Sequence, residues 1–305
     1  MEAKPTQCFV AVIDIKLADR LKEDLLSQGF ELSKPLHTLF QAKKNGISLT
    51  LYQSGKLTVQ GKDKHDFISY YLEPQILQNL SYSYPHQHVE THARIGIDEA
   101  GKGDYFGPLC IGGLFISGEQ ELEKLLRMGV KDSKRLADTV ILKIAAQIKS
   151  SFATSIIKIS PKRYNEMYQT FHNLNRMLAW GHATAIETLV EKTSCREVII
   201  DQFADEHVVQ NSLDKKKLQV HLTQRHKGEE DPVVAGASIL ARAAFVEGLA
   251  QMESKYNLSL PKGASEAVKA AAKKAISIHG VAILQEIAKM HFKTTQELLK
   301  TVDHA

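Results

Sequence analysis

The stretch Gly96-Ile97-Asp98-Glu99-Ala100-Gly101-Lys102-Gly103-Asp104-Tyr105-Phe106-Gly107-Pro108-Leu109 sets two adjacent carboxylates at the end of an apolar run and follows them with a lysine between two glycines. With ARIGID (93–98) entering it and PLCIGGLFIS (108–117) leaving it, the segment reads as a strand, a glycine-rich turn and a second strand. Strand ends are where α/β folds present chemistry, because the backbone is held by the sheet while the side chain projects beyond it. A second apolar run, REVIIDQF (196–203), stops in the same way at Asp201. If the two strands are near neighbours, Asp98 and Asp201 converge. Glu99 points to the other face of an ideal strand, so its joining them requires the chain to bend there. Three converging carboxylates repel one another without a cation, and hard oxygen donors suit Mg²⁺ or Mn²⁺ better than zinc. The pattern therefore predicts a divalent-metal site.

Outward from this segment, helices are expected at ELEKLLRMG (121–129), ADTVILKIAAQIKSS (137–151), NLNRMLAWGHATAIETLVEKT (173–193) and DPVVAGASILARAAFVEGLAQMESKY (231–256), with strands at FATSIIKIS (152–160) and KLQVHLTQR (217–225). Strands alternating with helices predict a mixed α/β layer. The first part of the chain differs. QCFVAVIDI (7–15) reads as a strand, ADRLKEDLLSQGF (18–30) as an amphipathic helix, and LHTLFQAKKNGISLTLYQSGKLTVQG (36–61) as a three-stranded meander punctuated at Asn45-Gly46 and Ser54-Gly55. A second helix follows at DKHDFISYYLEPQIL (63–77). The polar, aromatic NLSYSYPHQHVETHA (79–93) has no periodicity and places a boundary near residues 82–92, giving units of 1–85 and 86–305.

The 305 residues carry a formal net charge of +4, with ten basic against ten acidic residues in the first 90, so any basic surface must come from arrangement. Lys43, Lys44, Lys56, Lys62 and Lys64, with Phe40 and Tyr52, are the expected members of a nucleic-acid face on the meander. Three widely spaced cysteines, Cys8, Cys110 and Cys195, offer neither a metal pair nor a disulfide framework and predict a reducing, cytoplasmic setting. No apolar run is expected to approach the length of a membrane span, and the N-terminal MEAKPTQCFVAVID lacks the basic-then-apolar layout of a secretory signal.

GIDEAGKGDYFGPL resembles the first signature of the type 2 ribonucleases H. Its GKG, where ribonuclease HII usually has arginine, is similar to that of the ribonuclease HIII family. The resemblance continues through KDSK (131–134), VIID (198–201), HKGEE (226–230), AGASILAR (235–242), LPKGAS (260–265) and AKMHFKTT (288–295), and YQSGKLTVQG (52–61) resembles that family's small extra domain. It implies an RNase H-like mixed β-sheet flanked by helices, preceded by a small α+β domain likened to half of a TATA-box-binding protein. It also implies a monomeric endonuclease that cuts the RNA strand of RNA/DNA hybrids with two Mg²⁺ or Mn²⁺ ions, leaving 5′-phosphate and 3′-hydroxyl ends. Carried over by position, Asp98, Glu99 and Asp201 are the first three metal-site acids. The fourth is Glu229, after Lys227-Gly228, or Glu230. His226 is a weaker candidate for a direct role. Gly101, Lys102 and Gly103 are expected to meet the sugar-phosphate chain, where rigid backbone groups can read a 2′-hydroxyl regardless of base, and Lys134 a phosphate. Two other readings are a ribonuclease HII-type enzyme incising at single embedded ribonucleotides and a non-catalytic hybrid-binding protein.

Overall fold

The computed structural model describes residues 8–77, 90–130 and 136–302. The chain divides into two compact units, Met1–Val89 with Leu126–Gly129, and Glu90–Leu125 with Val130–Ala305.

The first unit runs β1 (Phe9–Val12), a short 3₁₀ turn, α1 (Ala18–Ser27), β2 (Glu31–Ser33), β3 (Thr38–Lys44), β4 (Ile47–Tyr52), β5 (Lys56–Gln60) and α2 (Lys64–Phe67), which continues as a π-helix over Ile68–Leu77. Its sheet has the order β1-β5-β4-β3-β2 with every pair antiparallel. The predicted meander is β3-β4-β5. The turn at Asn45-Gly46 joins Lys44 directly to its partner Ile47, and Gly46 adopts the positive φ of 86° that such a tight hairpin needs. Period-2 alternation sends Phe40, Ala42, Leu49, Leu51, Leu57 and Val59 to one face, where they pack with Leu21 and Leu25 of α1 and with Ile68 and Leu72.

This packing corrects the expected nucleic-acid face. Phe40 belongs to the core, and the Lys44 ammonium donates to the Gln28 carbonyl at 2.8 Å and lies over the Phe30 ring. Lys43, Tyr52 and Lys56 alternate out of phase with the core positions and share the opposite face with Gln41, Ser48, Thr58 and Gln60.

The second unit runs β6 (Arg94–Ala100), β7 (Leu109–Ile116), α3 (Glu119–Arg127), α4 (Asp138–Ser151), β8 (Thr154–Ile159), α5 (Pro161–Phe171), α6 (Leu174–Thr193), β9 (Glu197–Asp201), α7 (Glu206–Lys215), β10 (His221–Arg225), a 3₁₀ turn at Gly228–Glu230, α8 (Pro232–Tyr256), α9 (Glu266–His279), α10 (Ile283–Ile287) and α11 (Lys293–Val302). Its sheet order is β10-β9-β6-β7-β8, parallel across β10-β9-β6 and antiparallel across β6-β7-β8. Ile95, Ile97, Ile111, Val198 and Ile200 face α6, packing on Leu178, Ile186 and Leu189. On the other face α8 lies unusually close. A Cβ on Gly112 would stand 2.2 Å from the Ala237 carbonyl oxygen, so glycine is what admits the helix there.

That closeness explains why α8 is apolar on all sides. By length and hydropathy it could cross a membrane, which corrects the expectation that no apolar run approaches that length, yet 78% of its most apolar window is buried within the fold. Arg94 and Asp231, both buried, join the start of β6 to the start of α8. The guanidinium meets Asp231 Oδ2 through two nitrogens at 3.0 and 3.1 Å, while Asp231 Oδ1 accepts from the Val233 and Val234 amides. Replacing Arg94 by Leu is expected to cost about 3–5 kcal/mol, because it strands the buried Asp231 charge. Chemical denaturation of the variant measures it.

Candidate active site

β6 and β9 are parallel neighbours with Ile97 opposite Ile200, so Asp98 and Asp201 emerge side by side on the face covered by α8, from strands about 4.8 Å apart. Asp98 Oδ1 accepts the Glu99 amide at 2.7 Å, and the Ser238 hydroxyl of α8 also bonds the carboxylate. Burial pushes the Asp98 carboxyl up to about 8. The adjacent Glu99 charge adds to this, Ser238 and the Glu99 amide oppose it, and Asp201 raises it further. Asp201 Oδ1 accepts the Gly228 amide at 2.8 Å. A Cβ on Gly228 would sit 2.6 Å from the Asp201 Cα, so the turn after β10 can close over Asp201 only with glycine there.

Glu99 takes another course than the expected bend. β6 stays paired through Ala100, with Glu99 opposite Ile111, and the side chain therefore projects to the α6 face. There His182 Nε2 meets Glu99 Oε2 at 3.0 Å, and the Lys102 ammonium meets Oε1 at 3.0 Å. Burial raises the Glu99 carboxyl, but the bonds and charges of His182 and Lys102 outweigh it and hold the group below the usual carboxylate range. His182 is fully buried, lies tilted against the Phe203 ring with centroids 4.7 Å apart, and among the described residues has no hydrogen-bond partner for Nδ1. The sequence reading missed it. Its signal was a lone histidine at an inward position of an otherwise apolar helix face.

The other candidates are placed as follows. Glu229 lies in the turn Gly228–Glu230, and its side chain is outside the described structure. Glu230 is exposed and has Lys227 Nζ at 3.5 Å. Asp231, next in the acidic run, is committed to capping α8 and to Arg94. His226 is exposed, and Lys134 lies outside the described residues. One further carboxylate follows β9: Asp205, four residues beyond Asp201, is exposed before α7, and among the described residues its side chain makes no capping bond to that helix. Among the described residues no three His, Cys, Asp or Glu side chains gather tightly enough to hold one metal ion together. Each acid is instead held by its own protein partner. The donor set still fits a hard divalent cation. It is all carboxylate oxygen, and the buried Asp98 carboxyl, raised by burial and then by the neighbouring Glu99 and Asp201 charges, is a group that a cation would favour in its ionised form.

The turn after β6 has one closed and one open glycine. Gly101, at φ 86°, would place a Cβ 2.3 Å from the Pro108 carbonyl oxygen, whereas a Cβ on Gly103 would meet nothing within 4 Å among the described residues. The exposed backbone at Gly103 can be approached closely from outside.

Substituting the candidate fourth acids separates them. Glu229→Gln is expected to lower turnover about a hundredfold, while Glu230→Gln, whose exposed pair with Lys227 is worth at most about 1 kcal/mol, stays near wild type. Steady-state rates on one substrate decide this. If both variants keep full turnover, the assignment of the fourth acid to this segment falls.

A family model for ribonuclease HII matches residues 95–295, and a model for a domain of unknown function (DUF3378) matches residues 8–83. The chain is 51% identical to the ribonuclease HIII of Protochlamydia amoebophila (strain UWE25), over 96% of this chain and 97% of the relative. It is 43% identical to the ribonuclease HIII of Chlamydia felis (strain Fe/C-56), over 95% and 97%. Among solved structures, Bst-RNase HIII in complex with Mn²⁺ superposes with a TM-score of 0.67 at 28% identity, covering 98% of this chain and all of that one. RNase H3 of Aquifex aeolicus superposes with a TM-score of 0.55 at 26% identity, over 92% and 99%.

Proposed function

The chain belongs to the ribonuclease HIII family, and from that premise we propose how its own residues serve the cleavage of RNA/DNA hybrids. It is an endoribonuclease of the ribonuclease H class that cuts the RNA strand of such hybrids. The observation that carries the assignment of residues is the register of β6 and β9, which sets Asp98 beside Asp201 at one sheet edge, with Glu99 next in the chain. Asp98, Glu99, Asp201 and Glu229 are the groups that would hold the divalent ions, Mg²⁺ or Mn²⁺. When bound, such ions supply an activated water and charge stabilisation at the leaving 3′-oxygen.

The chain's own residues do the rest. Gly101 lets the turn close against Pro108, and Gly103 opens its backbone to the RNA sugar-phosphate chain, with 2′-hydroxyls read by main-chain groups that are indifferent to base. Lys102, exposed and in reach of Glu99, brings positive charge to the same edge, and Lys134 adds a phosphate contact. The non-core face of the first unit's sheet, with Lys43, Lys56, Tyr52 and the amides of Gln41 and Gln60, offers a base-independent surface for the duplex. The free cysteines favour a reducing compartment, which we take to be the cytoplasm, and we take the working form to be a monomer.

End-labelled hybrid incubated with Mg²⁺, with Mn²⁺ and with excess chelator tests the reading. Cuts within the RNA strand that leave 5′-phosphate and 3′-hydroxyl ends, and no cuts with chelator, are expected. Cleavage that survives chelation overturns the metal assignment.

Deleting residues 1–85 tests the division of labour. Each unit has its own apolar core, so the remaining chain is expected to fold. Its KM for hybrid should rise tenfold or more with kcat little changed, and its affinity should fall less steeply with salt, because phosphate contacts carry both the affinity and its salt dependence. Titrations at several salt concentrations read both effects, and an unchanged KM assigns the first unit another task.

A further inference from the structure

The turn that carries Gly101, Lys102 and Gly103 continues as Asp104–Pro108, and this continuation rests on a buried lysine. Lys289 has no exposed surface. Its Nζ donates to the carbonyls of Asp104 at 2.7 Å, Gly107 at 2.8 Å and Phe106 at 3.4 Å, three acceptors for the three N–H bonds of an ammonium. Its own amide donates to the Tyr105 carbonyl at 2.9 Å, and the Gly107 amide donates to the Ile287 carbonyl at 3.1 Å. The Tyr105 hydroxyl meets Thr295 Oγ1 at 3.0 Å. From the other side the Tyr105 amide donates to the Gly263 carbonyl, and the Gly263 amide to Asp104 Oδ1 at 2.6 Å. The segment bearing Lys289 is itself fixed, since Asn165 Nδ2 donates to the Ala288 carbonyl and its Oδ1 accepts the Met290 amide.

Core packing alone does not account for this arrangement. Burying an amine among Tyr105, Phe106 and Tyr164 is costly, and an apolar side chain of similar length would fill the space without that cost. What the amine gains is contact with three carbonyls of one loop, those of Asp104, Phe106 and Gly107, which turn inward onto it and would otherwise be left buried and unpaired. Everything the loop offers to the outside stands on this support: the open backbone of Gly103 and the Lys102 side chain that reaches Glu99.

We propose that Lys289 is a positioning residue, which sets the height of the Gly101-Lys102-Gly103 turn against Asp98 and Glu99 and thereby controls how well a ribose strand is distinguished from a deoxyribose strand, without itself touching substrate. The proposal rests on the reading of that turn as the sugar-phosphate contact. Reading a 2′-hydroxyl with backbone groups tolerates displacements of only about 0.5 Å, so a loop that loses its floor loses discrimination before it loses general duplex affinity.

Lys289→Met, of similar length and without donors, is compared with the wild type for affinity toward an RNA/DNA hybrid and an all-DNA duplex of the same sequence, in chelator. Melting curves and Mn²⁺ titrations run in parallel. The expected result is a folded protein that binds Mn²⁺ as the wild type does, with its hybrid-to-DNA affinity ratio lowered tenfold or more and kcat on hybrid lowered with it. If Lys289→Met does not fold, Thr295→Val, which removes only the partner of the Tyr105 hydroxyl, takes its place with an expected two- to fivefold loss of the ratio. An unchanged ratio in the folded variant overturns the proposal. Lys102→Ala and Gly103→Ala separate the two failures. If they also leave the ratio unchanged, the turn is not the sugar contact and the underlying reading falls. If they lower it while Lys289→Met does not, only the role of Lys289 falls.

Discussion

Asp98→Asn yields a protein that binds hybrid and does not cut it, with turnover lowered more than about a thousandfold, or some 4 kcal/mol of transition-state stabilisation. The amide keeps the volume and can still accept the Ser238 and Glu99 hydrogen bonds, so the fold and the substrate surface persist while an ionisable oxygen pair is lost. The same substitution should stabilise the metal-free protein. The Asp98 carboxyl, ordinarily near 3.8, is raised to about 8 in the folded state, so the stability of its neutral form is fully present below pH about 4 and is lost as pH rises through about 8. Asparagine never ionises and escapes that loss. In chelator at pH 8, Asp98→Asn is expected to melt higher than the wild type, by about 2–4 °C for each kcal/mol recovered, with the difference vanishing near pH 4. Residual activity above about a tenth of wild type, or a lower melting temperature at pH 8, contradicts this account of Asp98.

The second large effect concerns what is refused. Efficient cleavage is expected within a run of ribonucleotides paired to DNA, and little at one ribonucleotide embedded in DNA. Each 2′-hydroxyl held by a backbone or side-chain partner adds about 1 kcal/mol, so forgoing three such contacts lowers kcat/KM roughly a hundredfold. Double-stranded RNA should also fail, because a groove shaped for DNA opposite would meet extra 2′-hydroxyls on that strand. Initial rates on the three duplexes at equal concentration check this. Comparable rates on the single-ribonucleotide duplex would assign the ribonuclease HII type of selectivity.

Local sequence carried much of the second unit. IGID and VIID each name a strand and the acid that ends it, and Gly101 and Gly103 name a turn, because these signals lie within a few residues of one another. The parallel register that sets Asp98 beside Asp201 is a contact across 103 residues, and motif resemblance supplied it before the sheet did. His182 and Lys289 were not legible for the same reason. Their partners lie 83 and more than 180 residues away, and each reads locally as one polar residue in an apolar stretch. Phe40 misled because an aromatic beside lysines looks like a nucleic-acid surface until strand alternation assigns it inward. The three-residue β2 and the π-helical turn over Ile68–Leu77 carry too few periodic positions to be told from loop and α-helix. The apolar length of α8 reflects burial against the sheet, which composition alone cannot tell from burial in lipid.

The central claim is that Asp98, Glu99 and Asp201 hold the ions that make the chain a nuclease. Calorimetric titration of Mn²⁺ into the wild type, Asp98→Asn and Asp201→Asn, with melting curves to establish that each is folded, tests it without relying on turnover. The account predicts saturable Mn²⁺ binding by the wild type and binding weakened at least tenfold in each variant. Equal Mn²⁺ affinity in all three proteins would contradict it.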